Sequence, residues 1–313
     1  MKTGTPAPGP AEEAAPYVSL AHITEIELLI LKRMREVTLG EHRSSAHGSG
    51  FDFVGLRDWQ PGDHPSAIDW AQSTITNFSP PIVREFEQPS TATVTAIADV
   101  SLSTRCGAAG TTIAALVART IATIGMSAVF FQDAFGLVTF DEGFTHLAAV
   151  PPRTGKGQVV RCLDAYQFQR GLQEVRRVGA LSTTLAGYVR KTALLPVISD
   201  FLFENSQETL RELSLLNSTH DVCIVLIDSA FAFELPAAST GWIETVDVET
   251  GRTRTMGRGA FMRMAARVRE WQDEVERAAT DLELDVVRLG LDEAQADLAL
   301  GMFVAERRLR KKV

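Results

Sequence analysis

The sequence predicts an α/β fold built on a mostly parallel β-sheet, and three observations lead to that prediction. Short runs of apolar and β-branched residues, such as VCIVLI at 222–227, recur from about residue 91 onwards. Longer segments with apolar positions at helical spacing separate these runs, and such alternation of strands and helices is typical of a parallel sheet. The composition, 45% hydrophobic and 22% charged, is that of an ordinary globular protein.

Length and composition divide the chain into three zones. A chain of 313 residues is expected to hold two folded units, at about 150 residues per domain. Residues 1–17 are dominated by Pro, Ala and Gly, which predicts a disordered tail. Residues 18–90 predict an amphipathic helix followed by a small β-rich segment, in which Trp59 and Trp70 are expected to be core anchors. Residues 91–313 form the predicted α/β domain.

The elements of the predicted α/β domain follow from its apolar pattern. Strands are expected where short apolar runs occur, at 91–98, 134–140, 194–199, 222–227 and 284–287. Helices are expected where apolar residues recur every three to four positions, at 109–127, 156–170, 184–192, 206–217, 259–282 and 292–310. The turn signal Glu249-Thr250-Gly251 lies between two β-prone runs and predicts a hairpin inserted into the domain.

Charge, cysteine usage and hydropathy exclude several classes of protein. A formal net charge of −8 argues against a nucleic-acid-binding protein. The three cysteines lie far apart, which argues against a disulfide framework or a cysteine zinc site and favours a reducing, cytoplasmic location. The N-terminus has no apolar run, so no signal peptide is expected. No membrane span is expected either, because the best candidate, 113–131, is interrupted by Arg119 and is better explained as a buried helix.

Oxygen-bearing side chains follow two of the predicted strands and precede one helix. Asp99, Ser101 and Ser103 come directly after the first strand of the α/β domain, Asp200 follows the strand at 194–199, and Thr183 lies at the start of a helix. Ligands bind at the carboxyl ends of parallel strands, so these groups are expected at one edge of the sheet. Carboxylate and hydroxyl oxygens suit Mg²⁺ or another divalent cation. The same residue types are also common helix N-caps, and the pattern alone leaves both interpretations open.

Other chemistries fail on spacing. The segment Arg153-Thr154-Gly155-Lys156-Gly157 lacks the upstream glycine and the following hydroxyl residue of a phosphate-binding loop. The six histidines form no H-E-x-x-H pair, and no G-x-S-x-G turn presents a nucleophile. No general base or nucleophile stands out. The sequence therefore predicts neither a catalytic centre nor a nucleotide or organic cofactor.

Two sets of motifs resemble known families. The segments D-V-S-L-S, S-T-T-L-A and V-I-S-D-F-L resemble, in that order, the metal-ion-dependent adhesion site of von Willebrand factor A-like domains. The preceding block, G-F-D-F-V-G-L-R-D-W-Q-P-G-D-H-P-S-A-I-D-W, then I-V-R-E-F-E, resembles a bacterial family of domains of unknown function, MxaS-like, whose members usually accompany MoxR-type AAA+ ATPases. The resemblance covers about residues 45–310. It implies a von Willebrand factor A-like sheet with helices on both faces.

The resemblance also implies which residues hold the metal. The positions that match the family's ligands are Asp99, Ser101, Ser103, Thr183 and Asp200. Some neighbours depart from the pattern, because Ser182 replaces the usual Gly before the threonine and Thr184 replaces the usual Asp after it. The usual methionine after D-x-S-x-S is Thr104, followed by Arg105. Arg105 would either weaken cation binding by repulsion or help an acidic partner to dock.

The function that the resemblance implies is that of a non-enzymatic adaptor. A bound Mg²⁺ would leave a coordination position for an Asp or Glu of a client protein, and a MoxR-type ATPase would remodel or activate that client. Some relatives serve the maturation of metalloenzymes, including methanol dehydrogenase. Two alternatives remain at this stage: a Mg²⁺-dependent hydrolase that uses the same residues, and a structural scaffold whose metal site is empty.

Overall fold

The computed structural model describes residues 16–41, 52–61, 63, 65–75, 77–87, 92–108, 110–233, 242–246, 253–291 and 293–310. These residues form two compact units. The larger unit combines the described residues up to Arg35 with those from Ala92 onwards, and the smaller unit comprises the described residues within the sequence range Glu36–Thr91. The predicted division into 1–17, 18–90 and 91–313 stays a prediction, and most of its proposed tail lies outside the described residues.

Helices and strands alternate along most of the described chain. Its α-helices are α1 (Leu20–Glu41), α2 (Trp70–Ile75), α3 (Ile113–Phe130), α4 (Lys156–Phe168), α5 (Leu181–Tyr188), α6 (Ser206–Leu216), α7 (Arg258–Asp281) and α8 (Glu293–Arg310). Its strands are β1 (Asp52–Asp58), β2 (Ile82–Glu87), β3 (Thr93–Asp99), β4 (Gly107–Ala108), β5 (Thr111–Thr112), β6 (Ala134–Phe140), β7 (Leu147–Arg153), β8 (Gln173–Glu174), β9 (Ala193–Ser199), β10 (Asp221–Ile227), β11 (Trp242–Val246), β12 (Thr253–Gly257) and β13 (Asp285–Leu289).

The smaller unit is an antiparallel β1–β2 pair with the short helix α2. Asp69 precedes α2, accepts hydrogen bonds from two backbone N–H groups of its first turn, and forms an ion pair of 2.7 Å with Arg84 on β2. A bidentate pair between Arg57 and Asp63 closes the turn after β1, and this contact lowers the pKa of Asp63 to about 2. Trp70 is 61% exposed, so its predicted role as a core anchor is wrong. It contacts Phe78 at the surface instead.

The larger unit is built on a mixed, mostly parallel sheet of seven strands within the described residues. The strand order is β13-β10-β9-β3-β6-β7-β8. The five strands from β13 to β6 run parallel, whereas β7 is antiparallel to both of its neighbours. Alternate residues of β3 face opposite sides, and each side forms a separate core. Helices α1, α3, α4 and α8 cover one core, and α5, α6 and α7 cover the other.

Helix α3 is the central helix of the first core. By length and mean hydropathy, 1.8, it is the one helix among the described residues that could cross a membrane, but most of it is buried inside the protein. Arg119, the charge within this helix, pairs with Asp297 of α8 at 2.7 Å, and Thr123 donates a hydrogen bond to the same carboxylate. The sequence prediction of a buried helix here agrees with the structure.

The predicted α/β class and the mostly parallel sheet are confirmed. The predicted strand at 134–140 coincides with β6, and the predicted hairpin corresponds to β11 and β12, which pair antiparallel. The proposed turn of this hairpin, 249–251, lies outside the described residues. Strand β7 lies where no strand was predicted, and it contains Pro151 and Pro152, residues that disfavour strands. The strand forms there nonetheless, and a register shift between Phe135 and Leu137 of β6 accompanies the two prolines.

Candidate metal site

Two adjacent parallel strands carry the predicted acidic residues to one edge of the sheet. In the β3–β9 pair, Ala98 lies opposite Ile198. Asp99 is the last residue of β3, and Asp200 directly follows β9. Because both strands run in the same direction, their carboxyl ends meet at one edge, which is where ligands bind in open α/β sheets. The sequence predicted this juxtaposition.

Asp99 is fully buried and held on both carboxylate oxygens. Its Oδ1 accepts a hydrogen bond of 2.8 Å from the backbone N–H of Ser101, and its Oδ2 accepts one of 2.6 Å from the Ser199 hydroxyl. The phenol of Tyr166, from α4, donates to the Asp99 backbone carbonyl at 3.0 Å. The carboxylate therefore has a fixed orientation, and the strand end behind it is fixed as well.

Ser101 and Ser103 bring their hydroxyls together beside Asp99. The chain turns after β3 into a short 3-10 segment, Leu102–Arg105, and the two hydroxyl oxygens lie 2.9 Å apart and share a hydrogen bond. Thr104 closes this turn by donating to the Ser101 carbonyl at 2.7 Å. Ser101 occupies the N-cap position of the 3-10 segment, but its side chain makes no capping hydrogen bond. The alternative interpretation of this serine as a helix cap is therefore not supported.

Asp200 is 1% exposed, and only one of its two carboxylate oxygens has a hydrogen-bond partner among the described residues. Its Oδ1 accepts a hydrogen bond of 3.2 Å from the backbone N–H of Leu202, while Oδ2 is buried and has no hydrogen-bond partner. The nearby Ser103 hydroxyl lowers the pKa of Asp200, although it makes no hydrogen bond to Oδ2. Across the described chain, no Lys, Arg or His comes within salt-bridge distance of Asp99 or Asp200.

Burial raises the pKa of both carboxyl groups. For Asp200 the pKa rises to about 7, first because the group is removed from water and second because of the neighbouring charge of Asp99. The pKa of Asp99 is raised by burial too, although hydrogen bonds from Ser199 and Ser101 oppose the rise. The charge of Asp141, which follows β6 at the same edge, raises it further. The site is thus a buried pair of acids to which none of the residues that the structure describes supplies a counter-charge.

This donor set fits a hard divalent cation. It offers two carboxylates and two hydroxyls, all oxygen, and one carboxylate oxygen lacks a partner. In the described residues, no group of three or more His, Cys, Asp or Glu side chains could hold a metal ion by itself. A cation held here would therefore depend on the serine hydroxyls and on water or outside ligands in addition to the two acids.

Thr183 is not joined to these four residues by any hydrogen bond among the described residues. It lies exposed in the first turn of α5. Its neighbours are engaged elsewhere, because Ser182 donates to Glu212 of α6 at 2.6 Å. Thr184 is buried and bonded to the backbone of Val178. The structure thus brings Asp99, Ser101, Ser103 and Asp200 together, and the proposed role of Thr183 stays a prediction.

Sequence reasoning missed three residues that shape this edge. Ser199 holds Asp99, Tyr166 holds its backbone, and Gln272 of α7 donates to the Asp200 backbone carbonyl at 3.1 Å. Ser199 had a detectable signal, because it ends the strand next to Asp200. Tyr166 and Gln272 had none, since they lie on helices far away in the sequence. Arg105 is exposed and forms no ion pair in the described part of the chain.

Comparisons with known proteins give a family and distant structural likenesses. The profile described as "Protein of unknown function DUF58" matches residues 55–278. The crystal structure of conserved hypothetical protein BatB from Bacteroides thetaiotaomicron is similar with a TM-score of 0.41 and 13% identity, over 69% of this chain and 98% of that chain. An aerotolerance-related membrane protein from Bacteroides fragilis gives a TM-score of 0.38 and 12% identity, over 69% and 99%. The pilus adhesin SpaC from Lactobacillus rhamnosus GG gives 0.37 and 12%, over 70% and 30%. No curated protein matches the chain.

Proposed function

The chain belongs to the DUF58 family of proteins of unknown function, and from that premise we propose that it is a non-enzymatic adaptor with a von Willebrand factor A-like domain. In this proposal, the larger unit binds a partner protein through a divalent cation held at the carboxyl edge of its sheet. The residues proposed to hold the cation are Asp99, Ser101, Ser103 and Asp200, with Thr183 as a further contributor.

One observation carries the proposal: within the described residues, Asp99 and Asp200 are buried close together with no basic partner, and Asp200 Oδ2 has no hydrogen bond. A buried unpaired charge is costly, and proteins normally pair such groups or use them to bind metals. A bound Mg²⁺ supplies the positive charge that these two carboxylates lack. The half-buried residues Ser101 and Ser103, whose hydroxyls lie 2.9 Å apart, would add neutral oxygen ligands.

A carboxylate of the partner would complete the site. Mg²⁺ requires about six oxygen ligands in near-octahedral geometry and usually retains several waters. The four clustered side chains are too few to fill these positions, so water and an Asp or Glu from outside are proposed to occupy the rest. The exposed Arg105 next to the cluster would favour such an acidic partner. We propose a MoxR-type AAA+ ATPase and its client as the partners, following the sequence resemblance.

Co-purification with and without a chelator tests this function. The full chain is used as bait in Mg²⁺ or in EDTA, together with Asp99→Ala and with Asp164→Ala, an exposed carboxylate on α4, as the matched control. We expect an AAA+ ATPase or its client to be retained in Mg²⁺ by the wild type and the control only. Calorimetry should show Mg²⁺ binding that Asp99→Ala abolishes.

Each alternative function gives a different result. Retention of partners that is insensitive to EDTA and to Asp99→Ala would favour a scaffold without a working metal site. Mg²⁺-dependent turnover of phosphoesters that Asp200→Ala removes would favour a hydrolase. Either result would contradict the adaptor proposal.

A further inference from the structure

The turn that carries Asp200 is strained. Phe201, the next residue, has φ 53° and is fully buried. This left-handed conformation is uncommon for a residue with a bulky side chain, because Cβ approaches the backbone. Such a conformation persists only where the surrounding structure holds it. Neighbouring groups are therefore required to hold this turn.

Two consecutive residues of α7 donate hydrogen bonds to the backbone of the Asp200–Phe201 turn. The indole N–H of Trp271 donates to the Phe201 carbonyl at 2.8 Å, and the Gln272 side-chain amide donates to the Asp200 carbonyl at 3.1 Å. The same Gln272 nitrogen also lies 2.8 Å from the Ile227 carbonyl and 3.2 Å from the Ser229 hydroxyl. Gln272 is fully buried, so its donors have no water to bond to. The helix thus ties the ends of β9 and β10 together.

Ser199 connects this turn to the other carboxylate. Its hydroxyl donates to Asp99 Oδ2 at 2.6 Å and accepts the backbone N–H of Phe201 at 2.9 Å. The position of Asp99 is therefore linked to the conformation of Phe201. Rotation of the Asp200–Phe201 peptide plane would turn this N–H away from Ser199 and would disturb Asp200, which belongs to the same peptide unit.

We infer that Trp271 and Gln272 are positioning residues, which hold the strained Asp200–Phe201 turn so that Asp200 stays beside Asp99. The consequence for cation binding rests on the proposed function, whereas the consequence for the turn does not. Mutation of residues that orient metal ligands without touching the metal typically lowers metal affinity by about 10–100-fold. Neither residue is expected to contact the cation or the partner.

The test compares variants that remove the donors with one that only loosens the helix. Gln272→Met keeps the side-chain length and removes the amide, and Trp271→Phe keeps an aromatic ring and removes the N–H. Val275→Ala, a buried position on the same helix, is the control for lost stability. Mg²⁺ affinity by calorimetry and the free energy of unfolding are measured for each. We expect Gln272→Met to weaken Mg²⁺ binding by about tenfold or more, Trp271→Phe by less, and Val275→Ala to leave it unchanged.

Hydrogen exchange of the Phe201 and Leu202 amides gives a readout that does not depend on a metal. Without Mg²⁺, both amides should exchange at least several-fold faster in Gln272→Met and Trp271→Phe than in Val275→Ala. Equal exchange in all three variants would overturn the inference, and so would unchanged Mg²⁺ affinity in Gln272→Met. If the wild type binds no Mg²⁺, the proposed function fails, and the exchange rates alone then decide whether the helix holds the turn.

Discussion

Replacing Asp200 by Asn should stabilise the metal-free protein at neutral and alkaline pH. Asn has nearly the same shape but no charge to bury. The pKa of Asp200 is raised from 3.8 to about 7 in the folded state. Between these values the folded protein keeps a proton that the unfolded chain has released, so the free energy of unfolding falls as the pH rises through this window. A shift of about three pKa units corresponds to about 4 kcal/mol.

The measurement is urea denaturation of the full chain in EDTA from about pH 4.5 to 8, with unfolding monitored by circular dichroism. Asp200→Asn should exceed the wild type by up to about 4 kcal/mol at pH 8, and the difference should shrink towards zero near pH 4. The surface variant Asp164→Asn should follow the wild type throughout. Saturating Mg²⁺ at pH 8 should stabilise the wild type, by about 2.7 kcal/mol at a hundred times its Kd, and leave Asp200→Asn unchanged.

A wild-type protein whose stability does not decline between about pH 4.5 and 8 in EDTA would contradict this prediction. The prediction would also fail if Asp200→Asn were less stable than the wild type at pH 8. Either result would mean that Asp200 does not carry an uncompensated charge in the folded protein, and the main argument for a cation at this edge would be lost.

Three other predictions concern contacts away from the candidate metal site. Asp297→Ala breaks the largely buried ion pair with Arg119, and thermal or urea denaturation should show a loss of about 3–5 kcal/mol, because removing one member of such a pair is strongly destabilising. A loss below about 1 kcal/mol would contradict this. Gly136→Ala should cost about 1–3 kcal/mol in the same assay, because the added Cβ would lie 3.0 Å from the backbone nitrogen of Pro152. Gly259→Ala, with no contact closer than 3.5 Å, is its control. The Arg57 guanidinium lowers the pKa of Asp63 to about 2. The contribution of this pair to stability is therefore present above about pH 4 and is lost as the pH falls through about 2. NMR titration of the Asp63 carboxyl carbon should give a midpoint near about 2 and not near about 4.

The sequence was sufficient to predict the class of fold, because apolar residues every three to four positions indicate a helix, whereas short continuous apolar runs indicate buried strands. It predicted β6 with its observed bounds, and it predicted that Asp99 and Asp200 would share an edge, because that follows from strand direction alone. It did not predict β7, whose two prolines oppose a strand and are accommodated only by a shifted register against β6.

What the sequence by itself determined is therefore which oxygen-bearing side chains end which strands. Only the tertiary structure decided how those side chains are held. The Ser199 hydroxyl donates to Asp99, and Asp200 keeps one oxygen without a partner among the described residues. Helix α7 donates a hydrogen bond to the backbone of the turn that follows. The physical reason is that strand ends are set by local pattern, whereas hydrogen bonds between residues distant in sequence, such as Gln272 and Asp200, exist only once the helices have packed on the sheet.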